Sequence, residues 1–292
     1  MFRRAPHPTV RVGNLFERAP FLIRVSRRAV VPTAAVALAA SALVIFILIR
    51  VLTPTTNPSP ASPVGIPGLW HRVWSDDFSG SGLDASKWST GWFGSGVTGP
   101  VNTAEIGCYD PAQVAVSGGN LNLTAVAKAQ TVNGRLYPYT SGLVTTMGKF
   151  AFAYGVLEAR IYLPGADAQI ANWPAFWANG TGPAPATGEL DVMEGRGGAA
   201  TYHFHSLAGS PGGLVPGDFA GWHTYAADWR PGVVTYYYDG HEVGQITTGI
   251  TSSPMYLILN YGVGATYGGP ISTPTAMRVD YVRVWKSGTS RA

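Results

Sequence analysis

Three carboxylates fall within six residues in Gly188-Glu189-Leu190-Asp191-Val192-Met193-Glu194-Gly195, in a chain with only 16 acids among 292 residues. On a β-strand, residues two apart share a face, so Glu189 and Asp191 point together, whereas Glu194, five positions from Glu189, points the other way. One extra residue at Val192 or Met193, a β-bulge, restores the parity and turns all three acids to one face. Leu190 and one of Val192 or Met193 then enter the core. Three acids on one face repel one another, which is a poor structural choice unless the charges serve chemistry. Cleavage of a glycosidic bond needs such a set: a nucleophile and an acid/base whose carboxyl groups stand about 5 to 5.5 Å apart. The middle acid can hydrogen-bond the nucleophile and hold the third acid's pKa up until it donates its proton. A calcium site or an acidic solvated strand is the structural alternative.

These acids need a wall and a scaffold. Trp173 and Trp177 lie four apart in Trp173-Pro174-Ala175-Phe176-Trp177, hence on one strand face with only the small Ala175 between them. That is an open aromatic platform on which the apolar C–H face of a sugar can stack, or else core filler. From Leu69 onward, short β-branched and aromatic runs alternate with Gly-rich breaks, the pattern of an all-β sandwich. Residues 120–126 alternate apolar and polar with period two. Asp239-Gly240 supplies the positive φ angles of a tight turn, which predicts a hairpin over 235–246. In 150–163 the even positions form an aromatic face carrying Glu158 and Arg160, either a solvated outer face or a wall of the cleft.

The N-terminal part is different. Residues 1–50 hold eight Arg and one acid, a net of +7, and residues 51–292 hold 12 Lys/Arg against 15 Asp/Glu, a net of −3, summing to the chain's +4. The basic character therefore belongs to the N-terminal segment and gives no reason to invoke nucleic acid. Residues 29–49 carry no charge and would span about 31 Å as a helix, the thickness of a bilayer core. Arginines precede them, so the positive-inside tendency predicts residues 1–28 as a basic cytoplasmic segment, 29–52 as a transmembrane signal anchor, and everything beyond outside the cell. Small-x-small sites within the apolar run offer the alternative of cleavage and secretion. Residues 53–68, rich in proline, read as a linker, and 69–287 as the catalytic domain. Cys108 is the only cysteine, so the domain has no internal disulfide, and a buried thiol acting as a small hydrophobe is expected.

The series of motifs resembles glycoside hydrolase family 16, a β-sandwich jelly-roll group. Glu189-Leu190-Asp191-Val192-Met193-Glu194 looks like that family's signature in its bulged form. The likeness continues through residues 73–78, 154–160, 173–177, His223-Thr224-Tyr225, Trp229 and 279–285. The resemblance implies Glu189 as nucleophile, Asp191 as its assisting acid and Glu194 as acid/base. It implies Trp173 and Trp177 on the donor side of the cleft with Asn102 near the same sugars, and Arg160 and His205 are further candidate substrate contacts, His205 alternatively supporting Glu194. The bulged form favours a laminarinase-like activity on β-1,3-glucan, with agarase or carrageenase-type hydrolysis, transglycosylation, or sugar binding without turnover as alternatives. Val156 and Asp77 stand where laminarinase-like members often have arginine and glutamate, and residues 201–206 depart from the usual segment. No cofactor is required by this chemistry. A structural calcium is common in the family, with Asp280 the matching ligand, and the enzyme is expected to act as a monomer on a polysaccharide.

Overall fold

Alternating apolar and polar residues fold residues 120–125 into a strand whose Leu121, Leu123 and Ala125 are buried while Asn120, Asn122 and Thr124 are not. The same period-two logic builds the rest of the computed structural model, which describes residues 61–288 except Asp167 and Ala265. The expected segments at 1–28 and 29–52, and most of the linker, lie outside the described residues. Among those described, the structure is all-β, with a single 3-10 turn at Pro111–Gln113. No helix among them is long and apolar enough to cross a membrane.

Two antiparallel sheets carry the domain. An eight-stranded sheet runs in the order His241–Ile246, Val233–Tyr238, Gly221–Arg230, Gly155–Leu163, Thr275–Ser287, Asn120–Ala125, Val114–Ser117, with Trp70–Asp76 also paired to Thr275–Ser287. A seven-stranded sheet runs Gly212–Leu214, Ala199–His205, Glu189–Arg196, Trp173–Gly180, Met255–Gly262, Leu143–Thr145, Ser89–Thr90. Their facing sides share one core, with Leu157, Ala159 and Ile161 from the first sheet meeting Phe176, Leu190 and Leu259 from the second. The predicted hairpin forms from Val233–Tyr238 and His241–Ile246, turning at Asp239 and Gly240 with φ of 47° and 77°.

The back of the eight-stranded sheet is also covered. Val156, Ala226 and Trp285 form a small apolar cluster with Ile66. Beside it the Val64 amide donates to the carboxylate of Glu158 at 2.6 Å, and Glu158 has no exposed surface. Glu158 is thus neither solvated nor part of a sugar cleft: a short stretch of chain lies over it, with Arg283 at 4.0 Å. Packing begins at Pro63 and Ile66, earlier than the boundary at 69 expected from proline content. The thiol of Cys108 is buried as expected.

Candidate active site

Pairing with both neighbours fixes the parity of Glu189–Arg196. Against Ala199–His205, Asp191 pairs with His203 and Glu194 with Thr201, so three steps on one strand match two on the other. Against Trp173–Gly180, Phe176 pairs with Met193 and Trp177 with Asp191, leaving Val192 as the extra residue. The bulge therefore sits where parity demands it. Val192 and Met193 both enter the core, one more than expected, because the bulge turns two consecutive residues inward.

Glu189, Asp191 and Glu194 consequently line one cavity of about 840 Å³, together with Trp173, Trp177, Asn102 and His205. Registry arranges them in rows across the sheet: Tyr256, Asn179, Glu189 and His205 in one, Ile258, Trp177, Asp191 and His203 in the next, and Asn260, Ala175, Glu194 and Thr201 in the third. The histidines do not serve the acids of their own rows. His205, opposite Glu189, puts Nε2 3.0 Å from Asp191 Oδ2 and 3.9 Å from Glu189 Oε1. His203, opposite Asp191, puts Nδ1 3.3 Å from Glu194 Oε2. The rings stack at 5.6 Å, each leaning one row along, and Ser210 Oγ holds the far nitrogen of His205 at 2.7 Å. His205 thus serves Asp191 and Glu189, and the expected support of Glu194 falls to His203, which was not singled out from the sequence. Its signal was present in the alternation His203-Phe204-His205, which puts two imidazoles on the face of the neighbouring acids.

The environment divides the trio electrostatically. Burial, then the charge of Asp191, push Glu189 up to about 8, only partly opposed by His205. Asp191 is raised by burial against the hydrogen bond from His205, and that bond raises His205 in turn. Burial alone would raise Glu194 too, but hydrogen bonds from His203 and from Trp173 Nε1, at 2.9 Å from Oε1, outweigh it and leave Glu194 below the usual carboxylate range. With Glu189 and Asp191 raised and Glu194 lowered, a shared proton is favoured at the Glu189–Asp191 end, whereas Asp191 was expected to hold it on Glu194. The reason is the unequal supply of N–H donors, two for Glu194 and a distant one for Glu189.

The tryptophans are fixed by different partners. Trp173 packs against Tyr267 at 5.7 Å, and Gly264 lies so close beneath it that a Cβ would come within 2.5 Å of its ring. Trp177 Nε1 donates to Asn260 Oδ1 at 2.8 Å, Asn260 Nδ2 to Tyr109 Oη at 2.9 Å, and Tyr109 Oη to Glu105 Oε2 at 2.5 Å. Glu105 lines the same cavity, and burial lifts it to about 7 in spite of Tyr109. Sequence reasoning passed over Glu105, although it stands three residues after Asn102. The Asn102 side chain caps the local turn through the Ala104 amide at 3.0 Å.

Two candidates lie elsewhere. Arg160 is on the eight-stranded sheet, away from the cavity, bonded to Asp280 at 2.8 Å and stacked over Trp222 at 4.7 Å. The residues at Asp280 do not fit a calcium ion, since a guanidinium already neutralises the carboxylate that the ion would need. The set within metal-ligating reach among the described residues is Asp191, His203 and His205, whose Asp191 and His205 are closed on each other by a hydrogen bond.

Residues 48–187 match the family described as beta-glucan synthesis-associated protein SKN1/KRE6/Sbg1. The glucan endo-1,3-beta-glucosidase A1 of Niallia circulans is 30% identical over 78% of this chain, which spans 39% of that protein's length. The beta-glucanase of Rhodothermus marinus is 30% identical over 74% of this chain and 85% of its own. Among solved structures, the endo-beta-1,3-glucanase of Pyrococcus furiosus superposes with a TM-score of 0.65 at 28% identity, covering 76% of this chain and 96% of that one.

Proposed function

Since the chain belongs to glycoside hydrolase family 16, we propose that its jelly-roll domain is an endo-acting, retaining hydrolase of β-linked polysaccharide, with β-1,3-glucan as substrate. The observation that carries this reading is the set of three acids that one bulged strand turns into a tryptophan-walled cavity. The names of the relatives add the substrate class.

In this mechanism Glu189 attacks the anomeric carbon as Glu194 protonates the departing glycosidic oxygen. Water, deprotonated by Glu194, then displaces Glu189, and the product keeps the β configuration. The proton must therefore move from the Glu189–Asp191 end to Glu194 when sugar binds. Substrate itself drives this, because a glycosidic oxygen is an acceptor: it repels a carboxylate at Glu194 and hydrogen-bonds a carboxylic acid there. His205, held to Asp191, offsets the negative charge left beside the nucleophile. Trp173 and Trp177 stack the glycone, with Glu105 and Asn102 at its hydroxyls.

Incubating the full chain with laminarin, mixed-linkage glucan, agarose and carrageenan, with products resolved by size, decides substrate. Proton NMR before mutarotation decides stereochemistry, and an α-anomer appearing first would exclude double displacement. Glu189→Gln and Glu194→Gln should each lose at least about a thousandfold in kcat with the fold intact. The match to a beta-glucan synthesis-associated family supports a second reading, transfer of the glycosyl unit to another sugar, which the same analysis registers as products longer than the substrate. Residues 29–52 would anchor the monomeric enzyme in the cell membrane with the domain outside.

A further inference from the structure

A second cavity, of about 570 Å³, adjoins the first and shares Trp92 and Val101 with it. Its floor and walls come from residues 92–101 and from the hairpin of Gln130–Val132 and Arg135–Tyr137. The hairpin turns at Asn133 and Gly134 with φ of 51° and 79°, and this brings Asn133 to the cavity. Arg135 lies flat over Tyr137 at 4.8 Å and donates to the backbone carbonyl of Glu105 at 3.3 Å, tying the hairpin to the wall of the catalytic cavity.

Phe93 is the feature of this cavity that the fold does not account for. It is 71% exposed, and its φ of 48° lies in the left-handed region that a bulky side chain avoids. Such a conformation is strained, and strain of this kind gathers at ligand sites. The ring stacks on Trp92 at 5.7 Å, and Trp92 packs on Trp177 at 5.6 Å. An aromatic series thus leads from the catalytic cavity through Trp177 and Trp92 out to Phe93. An exposed aromatic ring in one cavity with a carboxamide and a guanidinium is a combination that suits a sugar, whose C–H face stacks while its hydroxyls accept and donate.

We infer that this cavity is a distal subsite that holds the continuation of the same β-glucan chain, on the side of the carboxylates where Trp177 lies, with Phe93 as its platform and Arg135 and Asn133 at its hydroxyls. The inference rests on the glucanase reading of the catalytic cavity, which fixes the occupant through continuity of the two.

The test is calorimetric binding of laminaritriose and laminarihexaose to the full chain carrying Glu189→Gln, with and without Phe93→Ala or Arg135→Ala. The hexaose should bind more tightly than the triose. Phe93→Ala should remove about five- to tenfold of that gain, leaving the triose unchanged. With Glu189 intact, Phe93→Ala should lower kcat/KM on the hexaose and not on the triose. Equal affinity for both lengths, or an equal loss on both in Phe93→Ala, overturns the subsite and leaves the hydrolase reading standing. Failure of both sugars to bind would sink the β-1,3-glucan reading and the subsite with it.

Discussion

At the scale of the residue, the three acids of the cleft behave as one titrating unit with donors at one end and burial at the other. The free cleft must hold one proton to be active, and Glu189, up at about 8, governs its loss. As pH rises past about 8 the last proton leaves and the departing oxygen can no longer be protonated, so kcat/KM should fall there. On the acid side, Glu194 sits below its usual range, so the limb where a second proton enters should lie low. His203→Ala removes a donor that favours the Glu194 anion, and it should move the acid limb up and narrow the bell, as a pH series on both proteins would record. An unmoved acid limb would mean that His203 does not tune Glu194. The acids were legible because types and spacing alone force the bulge. His203 was not, because which row a histidine leans toward depends on cross-strand diagonals, and a single strand does not contain them.

At the scale of the element, the bulge at Val192 and Met193 is what makes Glu194 a cleft residue. Deleting Val192 leaves Glu194 four positions from Glu189, the even spacing of a regular strand, so pairing should become regular with Glu194 still on the cleft face. The deletion variant should fold and keep measurable turnover, whereas complete loss of turnover in a folded variant would mean that the extra residue sets more than the parity of the acids. The alternation at 120–125 and the Asp239-Gly240 turn were readable because both signals are local. The even face of Gly155–Leu163 left two readings open, and neither held for Glu158. What lies over a strand is decided by chain distant in sequence, here Val64 at a separation of 94 residues, and Arg160 likewise found its partner in Asp280.

At the scale of the whole molecule, buried acids make stability depend on pH. Glu105, lifted to about 7, and Glu189 bind more protons folded than unfolded between roughly pH 4.5 and their folded values, so stability falls as pH rises through that window. The share of Glu105 is on the order of 3 kcal/mol when fully expressed, and Glu105→Gln should flatten the decline in melting temperature from pH 5 to 8. An unchanged slope would mean that Glu105 is not protonated in the fold. The N-terminal boundary is equally testable. External protease on intact cells should release the domain by cutting between residues 53 and 62, and spare 63–68, where Ile66 is packed. Recovery of soluble protein beginning near Leu43 would instead mean cleavage by a signal peptidase.

Val64 and Ile66 lie on the back of the eight-stranded sheet, while the acids open from the far side of the seven-stranded one. The packed stretch at 63–66 therefore lies at the rear of the domain, as a wrist lies behind a hand held palm outward. A polymer far larger than the protein can lie across the palm without meeting the packed stretch behind it.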